Sequence, residues 1–414
     1  MNLNYPKFRM RWFITPTGAA ITGLVVLGIG AVSTPDMFFR AYLFGWLCIL
    51  GITMGAQGFM FIQHMTGGAW GYTVRRVAEA AGMTLPLIAV LGIPLIIGAP
   101  RLFPWANHEM LEHVALLKHR EAFFNGPFIL GRTIVFFALW IIIAWALRSM
   151  SLKHDKTGDP KITKRMEALS VIGMLVYFFT MSITAYDLIC SREIEWYSST
   201  FGAVTILGQA CSGLCVMIVA LSQLRRQPQV AALITEDRNH DLGNLLLAST
   251  VMWSYVSFAQ FLIIWIGNTQ EDVTWFYHRT KTAWGIVGTI LMLCHFGFPF
   301  VILMWQRVKR DLSKLAPIAL WVLVMRLLDV LWMVAPTNYP APEHVDAKIA
   351  GMPNWLDPFA LLGLGGLWAV VFIWILSRQP LVPRAYHTDY EVLLNQDHGH
   401  EKHHGEDTAV GTPA

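Results

Sequence analysis

Arg40-Ala41-Tyr42-Leu43-Phe44-Gly45-Trp46-Leu47-Cys48-Ile49-Leu50 continues as Gly51-Ile52-Thr53-Met54-Gly55-Ala56-Gln57-Gly58-Phe59-Met60-Phe61-Ile62, with no charged residue after Arg40. As a helix rising 1.5 Å per residue, such a run crosses a hydrocarbon core about 30 Å thick. Inside a bilayer every backbone N–H and C=O must find its partner within the protein, and a helix does this on its own. On either side of this 40–62 stretch lie similar apolar runs, near 15–34, 73–97, 126–147, 167–189, 200–222, 242–266, 283–305, 315–335 and 357–377. The third is interrupted by Pro86 and Pro94 and carries Arg75, Arg76 and Glu79 in its first turns. The expectation is an all-α polytopic integral membrane protein of about ten transmembrane helices.

Composition points the same way. Hydrophobic residues make up 55% of the chain and charged residues only 14%. Soluble domains carry roughly 25% charged residues, so this chain lacks the charge to coat a water-facing surface. Its 17 Trp and 24 Phe suit interfacial belts and a lipid-facing skin. The basic residues sit in short segments between apolar runs, which argues against a nucleic-acid partner. Their sidedness sets the topology. Of the 31 Lys and Arg, 21 fall on the side of the N-terminus, eight on the other, and Arg132 and Arg326 fall within runs. The positive-inside rule then places both termini in the cytoplasm. The basic start, apolar stretch and Ala31-Val32-Ser33 could pass for a signal peptide, but the stretch is long and reads as a retained first helix.

The runs divide into 1–37 (N-terminal segment and first helix), 38–190 and 191–336 (two antiparallel four-helix bundles), 337–378 (outer loop and last helix) and 379–414 (a cytoplasmic His-rich tail). The second to fifth and sixth to ninth runs look like a duplication. The fourth helix of each set carries an outward-lying Asp, Asp187 or Asp329. In repeat-built membrane bundles, function tends to lie at the repeat interface.

The five cysteines (Cys48, Cys190, Cys211, Cys215 and Cys294) lie in or at the ends of apolar runs and read as small packing residues. No C-x-x-C-H, Walker loop or dinucleotide fingerprint occurs. Only His295 lies near mid-membrane, so paired axial ligands for two haems are lacking. His108-Glu109-Met110-Leu111-Glu112-His113 fits neither zinc spacing and reads as an amphipathic surface segment. His398, His400, His403 and His404 read as part of a solvated tail. The expectation is that this chain holds no metal and no cofactor of its own.

Polar groups within spans are costly and are functional candidates by default. They fall in three layers. His64, Arg75, Arg76, Glu79, His240 and Asp241 lie at the cytoplasmic edge. Tyr177, Gln209, Ser254, Tyr255 and His295 lie near mid-depth, His295 roughly 17 Å from the start of its span. Arg132, Asp187, Gln260, Arg326 and Asp329 lie toward the outer face. Each has a plainer reading. Arg326 and Asp329, three apart, can neutralise each other; Arg75 and Arg76 can snorkel; His240 or Asp241 can cap a helix; His295 can be a satisfied structural imidazole. The functional reading is a proton path. Glu79, Tyr255, His295, Asp187 and Asp329 carry it, and His64, Arg75, Arg76, Arg132, Gln209, Ser254, Gln260 and Arg326 support it.

Several stretches are familiar in order and spacing. They are Gly67-Gly68-Ala69-Trp70 with Arg75-Arg76-Val77-Ala78-Glu79-Ala80, then Asp187 with Ser191-Arg192-Glu193 and Trp196-Tyr197-Ser198-Ser199-Thr200-Phe201-Gly202. His240-Asp241-Leu242-Gly243, Trp253-Ser254-Tyr255, Phe258-Ala259-Gln260-Phe261, Trp275-Phe276, His278-Arg279 and His295-Phe296-Gly297-Phe298-Pro299-Phe300 follow. Together, over roughly residues 40–340, they resemble the NrfD/PsrC-like membrane subunits of alternative complex III, its F-type subunit (ActF) in particular. The resemblance implies a respiratory quinol:cytochrome c (or other acceptor) oxidoreductase in the bacterial inner membrane. Menaquinol or another quinol would be the donor, and a c-type cytochrome or terminal oxidase the acceptor. It also implies partners: an iron–sulfur subunit (ActB), haem-c subunits, and a paralogous NrfD-like membrane subunit (ActC) that carries the better-supported quinol site. Whether this chain binds quinol stays open, and a proton path is the separate contribution the resemblance leaves it.

Two other function classes remain. A proton-coupled secondary transporter could use the same buried Asp, Arg and His residues, although Pro86 and Pro94 have no counterpart in the second half, as broken-helix repeats would require. A purely structural anchor for redox subunits is the third.

Overall fold

The structure, a computed structural model, describes residues 11–194, 196–336 and 354–383. These residues are helical, with no strand among them, and ten helices are long and apolar enough to cross a membrane. In chain order they are α1 (Arg11–Ser33), α2 (Pro35–Thr66), α3 (beginning as Ala69–Gly82), α4 (Gly126–Thr157), α5 (Pro160–Leu188) and α6 (Phe201–Leu224). There follow α7 (Glu236–Gly267), α8 (Trp284–Leu303), α9 (Leu312–Val334) and α10 (Asp357–Ser377). The chain is a multi-pass membrane protein.

Helices α2 and α6 form the centre. Small residues let their backbones touch: a Cβ on Gly55 would stand 1.7 Å from the carbonyl oxygen of Gln209, and one on Gly213 would stand 2.1 Å from the nitrogen of Ala56. Without a hydrophobic force between helices in lipid, this close packing drives association. Helices α3 and α5 pack on α2, with α4 against both of them; α7 and α9 pack on α6, with α8 against both of them. The two four-helix groups thus meet along α2 and α6, and α1 pairs with α10 against α2. The Trp368 indole on α10 donates to the hydroxyls of Thr53 and Thr84 (both 2.9 Å), pinning α10 to α2 and to the first break in the third span. Ile134, Phe179, Ile263 and Ile286 point outward, at 60–68% exposure, as a lipid-facing skin requires.

Four expectations need correction. Residues 149–166 are not a loop: α4 runs to Thr157 and α5 starts at Pro160. Gly158, at φ 66°, closes α4, and Asp159 caps α5 through the N–H of Lys161. The charged residues there extend both helices beyond the apolar run. The third span begins at Ala69, not near 73, and proceeds through short segments, Leu85–Leu91, Ile93–Ile97 and Ala99–Leu102. Each has a proline in its first turn, where no intrahelical N–H is needed. His240 and Asp241 do not cap a helix. Helix α7 starts at Glu236, and Thr235 caps it by accepting from the N–H of Arg238 (3.3 Å). The eighth and tenth spans are not continuous α-helices, for Leu291–Gly297 and Leu361–Gly365 are π-helical. The outer loop 337–353 and the His-rich tail lie outside the described residues.

Candidate functional site

The polar residues of the three layers gather into separate groups. At the basic end of α3, the Arg76 guanidinium bonds Glu79 (2.5 Å) and pairs with Asp155 on α4, all three buried. Gln379, just past α10, donates to the carbonyl of Arg76 (2.8 Å) and accepts from Arg148 (3.2 Å). Arg75 does not snorkel: it is buried, donates twice to the side-chain amide oxygen of Gln63 (3.1 and 3.0 Å), and lies over the Tyr72 ring. His64 shares a 2.9 Å hydrogen bond with Ser170 on α5.

At the far end of the first bundle, Arg132 on α4 forks onto Asp187 on α5, one arm at 2.8 Å, with its cation over Phe123 and Phe128. At mid-depth the Tyr177 hydroxyl donates to Gln209 (2.9 Å), joining α5 to α6. Gln209 lines a cavity of about 20 Å³ between the bundles, with Cys48, Thr205, Ser212 and Arg326 on its walls. That volume is the size of one water, and these residues supply the polar atoms among walls that are otherwise apolar, Leu47, Ile189, Leu327, Val330 and Met333. Arg326 pairs with Asp329 on its own helix, and its Nε has no hydrogen-bond partner.

His295 lies in the π-helical turn of α8, where it is fully buried. Neither ring nitrogen has a partner. Its ring packs on Trp253 of α7, centroids 4.0 Å apart, and the charge that acts on it is that of Arg326. A π-turn shifts the register of the side chains after it, and such turns recur at functional sites. A buried imidazole without partners costs about 1–3 kcal/mol per orphaned group unless water reaches it.

Two expected members fall away. Tyr255 does not line the interior; it is 67% exposed and faces outward among Met252 and Phe258. Ser254 is half-buried. On α7 it is the neighbouring residue, Trp253, that turns inward to His295. Glu79 and Asp187 each belong to a first-bundle pair, while His295, Arg326 and Asp329 belong to the second. Gln260 is buried at the far end, away from this group, beside a separate cavity. Sequence reasoning missed Asp155, Arg148 and Gln379, which lie in polar stretches that read as loop or tail. It also missed Arg279, which donates to the carbonyls of Trp275, Trp332 and Met333 with Glu193 3.7 Å away. The familiar pairs Ser191-Arg192-Glu193 and His278-Arg279 were the signal for that contact. Among the described residues no cluster of three His, Cys, Asp or Glu could hold a metal ion.

Compared with models of known protein families and with the curated proteins, the chain matches none.

Proposed function

We propose that this chain is a proton-conducting membrane subunit of a quinol:acceptor oxidoreductase of the alternative complex III type. In this reading haem c and iron–sulfur centres belong to partner subunits, and both termini face the cytoplasm of a bacterial inner membrane. One observation carries the proton reading: a fully buried His295 with two unpartnered ring nitrogens, on a helix that packs against the one bearing the Arg326–Asp329 pair. An imidazole can accept a proton on one nitrogen while donating from the other. Asp329 offers a carboxylate, and water in the polar cavity would link Arg326 to Gln209 and Tyr177. The path therefore runs through the second bundle to the bundle interface, leaving the Arg76 and Arg132 pairs as structural ties.

The test uses the assembled complex purified through this chain. His295→Phe and Asp329→Asn should each lower the protons translocated per electron, with haem c and iron–sulfur content unchanged. Unchanged stoichiometry in both variants removes the relay. Purification of the chain alone, with no redox partner, removes the respiratory reading and favours a transporter.

A further inference from the structure

A cavity of about 750 Å³ opens at the end of the bundle away from the basic segments. It lies between the C-terminal ends of α5 and α7, the residues Cys190, Ser191 and Trp196 to Thr200, and the helix Gln270–Thr280. Its size is that of a small-molecule site. Its walls are of two kinds. Phe123 and Ile263, 43% and 64% exposed, belong to the lipid-facing skin. Opposite them, Trp196 and Gln260 are buried, at 1% and 6%, and the Trp196 indole N–H has no acceptor. Trp196 is held rigidly, stacked on Trp275 at 4.1 Å and 15° and met edge-on by Phe201. Trp196 lines the cavity, and a buried donor left without an acceptor there can be satisfied by one from a ligand.

Two charges of opposite sign also line this cavity, Arg120 and Asp272. Each is oriented by a neutral group. Arg120 donates to the carbonyl of Ile194 (2.9 Å) and lies over the Tyr197 ring, while Asp272 accepts from the Thr269 hydroxyl (2.5 Å). Among the described residues neither makes an ion pair, with the other or with anything else. A ligand that satisfies both must be a zwitterion, and one that enters past Ile263 must carry an apolar tail.

We propose that this cavity binds one zwitterionic phospholipid with a primary ammonium head. Its phosphate is taken by Arg120, a donor-only fork, and its ammonium by Asp272, an acceptor-only carboxylate. The ester carbonyl oxygens accept from Trp196 and Gln260, and the acyl chains leave along Ile263. A choline head has no N–H to give Asp272, a glycerol head offers that carboxylate only neutral hydroxyl donors and no positive charge, and a neutral quinone uses neither charge.

The full chain, purified in mild detergent, is passed into nanodiscs made from equal parts of phosphatidylethanolamine, phosphatidylcholine and phosphatidylglycerol. Tightly retained lipid is then counted by native mass spectrometry. We expect one ethanolamine lipid per chain, enriched about tenfold over the choline lipid, the worth of one charge-assisted contact. Arg120→Gln should lower retention of all three by about tenfold. Asp272→Asn should keep one lipid but move the preference to phosphatidylglycerol, a change that a misfolded protein would not give. Equal retention of the three lipids, no retained lipid, or a quinone retained in their place would each overturn the proposal.

Discussion

Alanine in place of Gly55 should destabilise the bundle, whereas the same change at Gly131 should stabilise it. Both glycines lie inside spanning helices, so both gain helix propensity on becoming alanine, by up to about 1 kcal/mol. They differ in what the new methyl group meets. At Gly131 nothing stands within 4 Å. At Gly55 the Cβ would lie 1.7 Å from the carbonyl oxygen of Gln209 and 2.4 Å from its carbon, both backbone atoms that no rotamer change can move. Ordinary contact begins at 3.4 Å, so α2 and α6 must part by about 1.7 Å. A gap of 0.5–1 Å already forfeits about a quarter to a half of each contact's dispersion energy. Overpacking of this kind costs about 1–3 kcal/mol, and a backbone clash belongs at the upper end. Net of propensity, Gly55→Ala should lose about 2 kcal/mol and Gly131→Ala should gain up to about 1 kcal/mol. Unfolding both variants by SDS titration in one detergent, beside the parent chain, measures the difference. A spin-label pair across α2 and α6 should lengthen only in the Gly55 variant. If Gly55→Ala proved as stable as Gly131→Ala, the close approach of α2 and α6 would be wrong, and with it the position of the polar cavity.

Two further outcomes follow from the ends of the helices. Asp311 caps α9, and the Ser313 hydroxyl and N–H hold its carboxyl below its ordinary value of 3.8. A depressed carboxylate contributes stability that is present above its unfolded value and lost as pH falls through its folded one. Asp311→Ala should therefore cost about 0.5–1 kcal/mol at pH 7, by thermal unfolding, and progressively less below about pH 4. For sidedness, Lys156→Cys should react with an impermeant maleimide only from the cytoplasmic face and Lys118→Cys only from the other. The native cysteines are buried or half-buried and should give little background.

Helix number was legible because it depends on one local property, an unbroken apolar length, and each of the ten runs meets that condition by itself. Their ends were less legible, because residues such as Lys153, Lys156 and Lys161 leave the bilayer without leaving the helix. Charge marks where lipid stops; the backbone stops where Gly158 and Asp159 provide a turn. The buried charges were legible as residues but not as pairs. Arg76 and Asp155 are 79 residues apart, and Gln379 reaches Arg76 across 303. Only Arg76–Glu79 and Arg326–Asp329, each three apart on one helix, could be paired from spacing alone among the buried pairs described. Tyr255 was misplaced because the polar residues of α7 are scattered round the helix, so periodicity does not say which face is inside.

The pairs also differ in what they do for the fold, and this separates scaffold from site. Arg132–Asp187 joins α4 to α5, and Arg76–Asp155 joins α3 to α4. Taking these charges out of water is expensive, but each pair fixes the placement of two helices relative to one another, a return that an apolar contact gives less specifically. Arg326–Asp329 has no such return. Both residues belong to α9, so the pair neutralises itself without tying α9 to any neighbour. Its desolvation is as costly as that of the others, and a leucine at each position would pack α9 at least as well. It also leaves the Arg326 Nε unpartnered and the guanidinium on the wall of a water-sized polar cavity. On α8, the π-turn holds His295 in the same packed layer, again with nothing bound to it. These two costly placements lie on neighbouring helices of the second bundle, α9 and α8. Neither placement is accounted for by what it contributes to the packing of its helix.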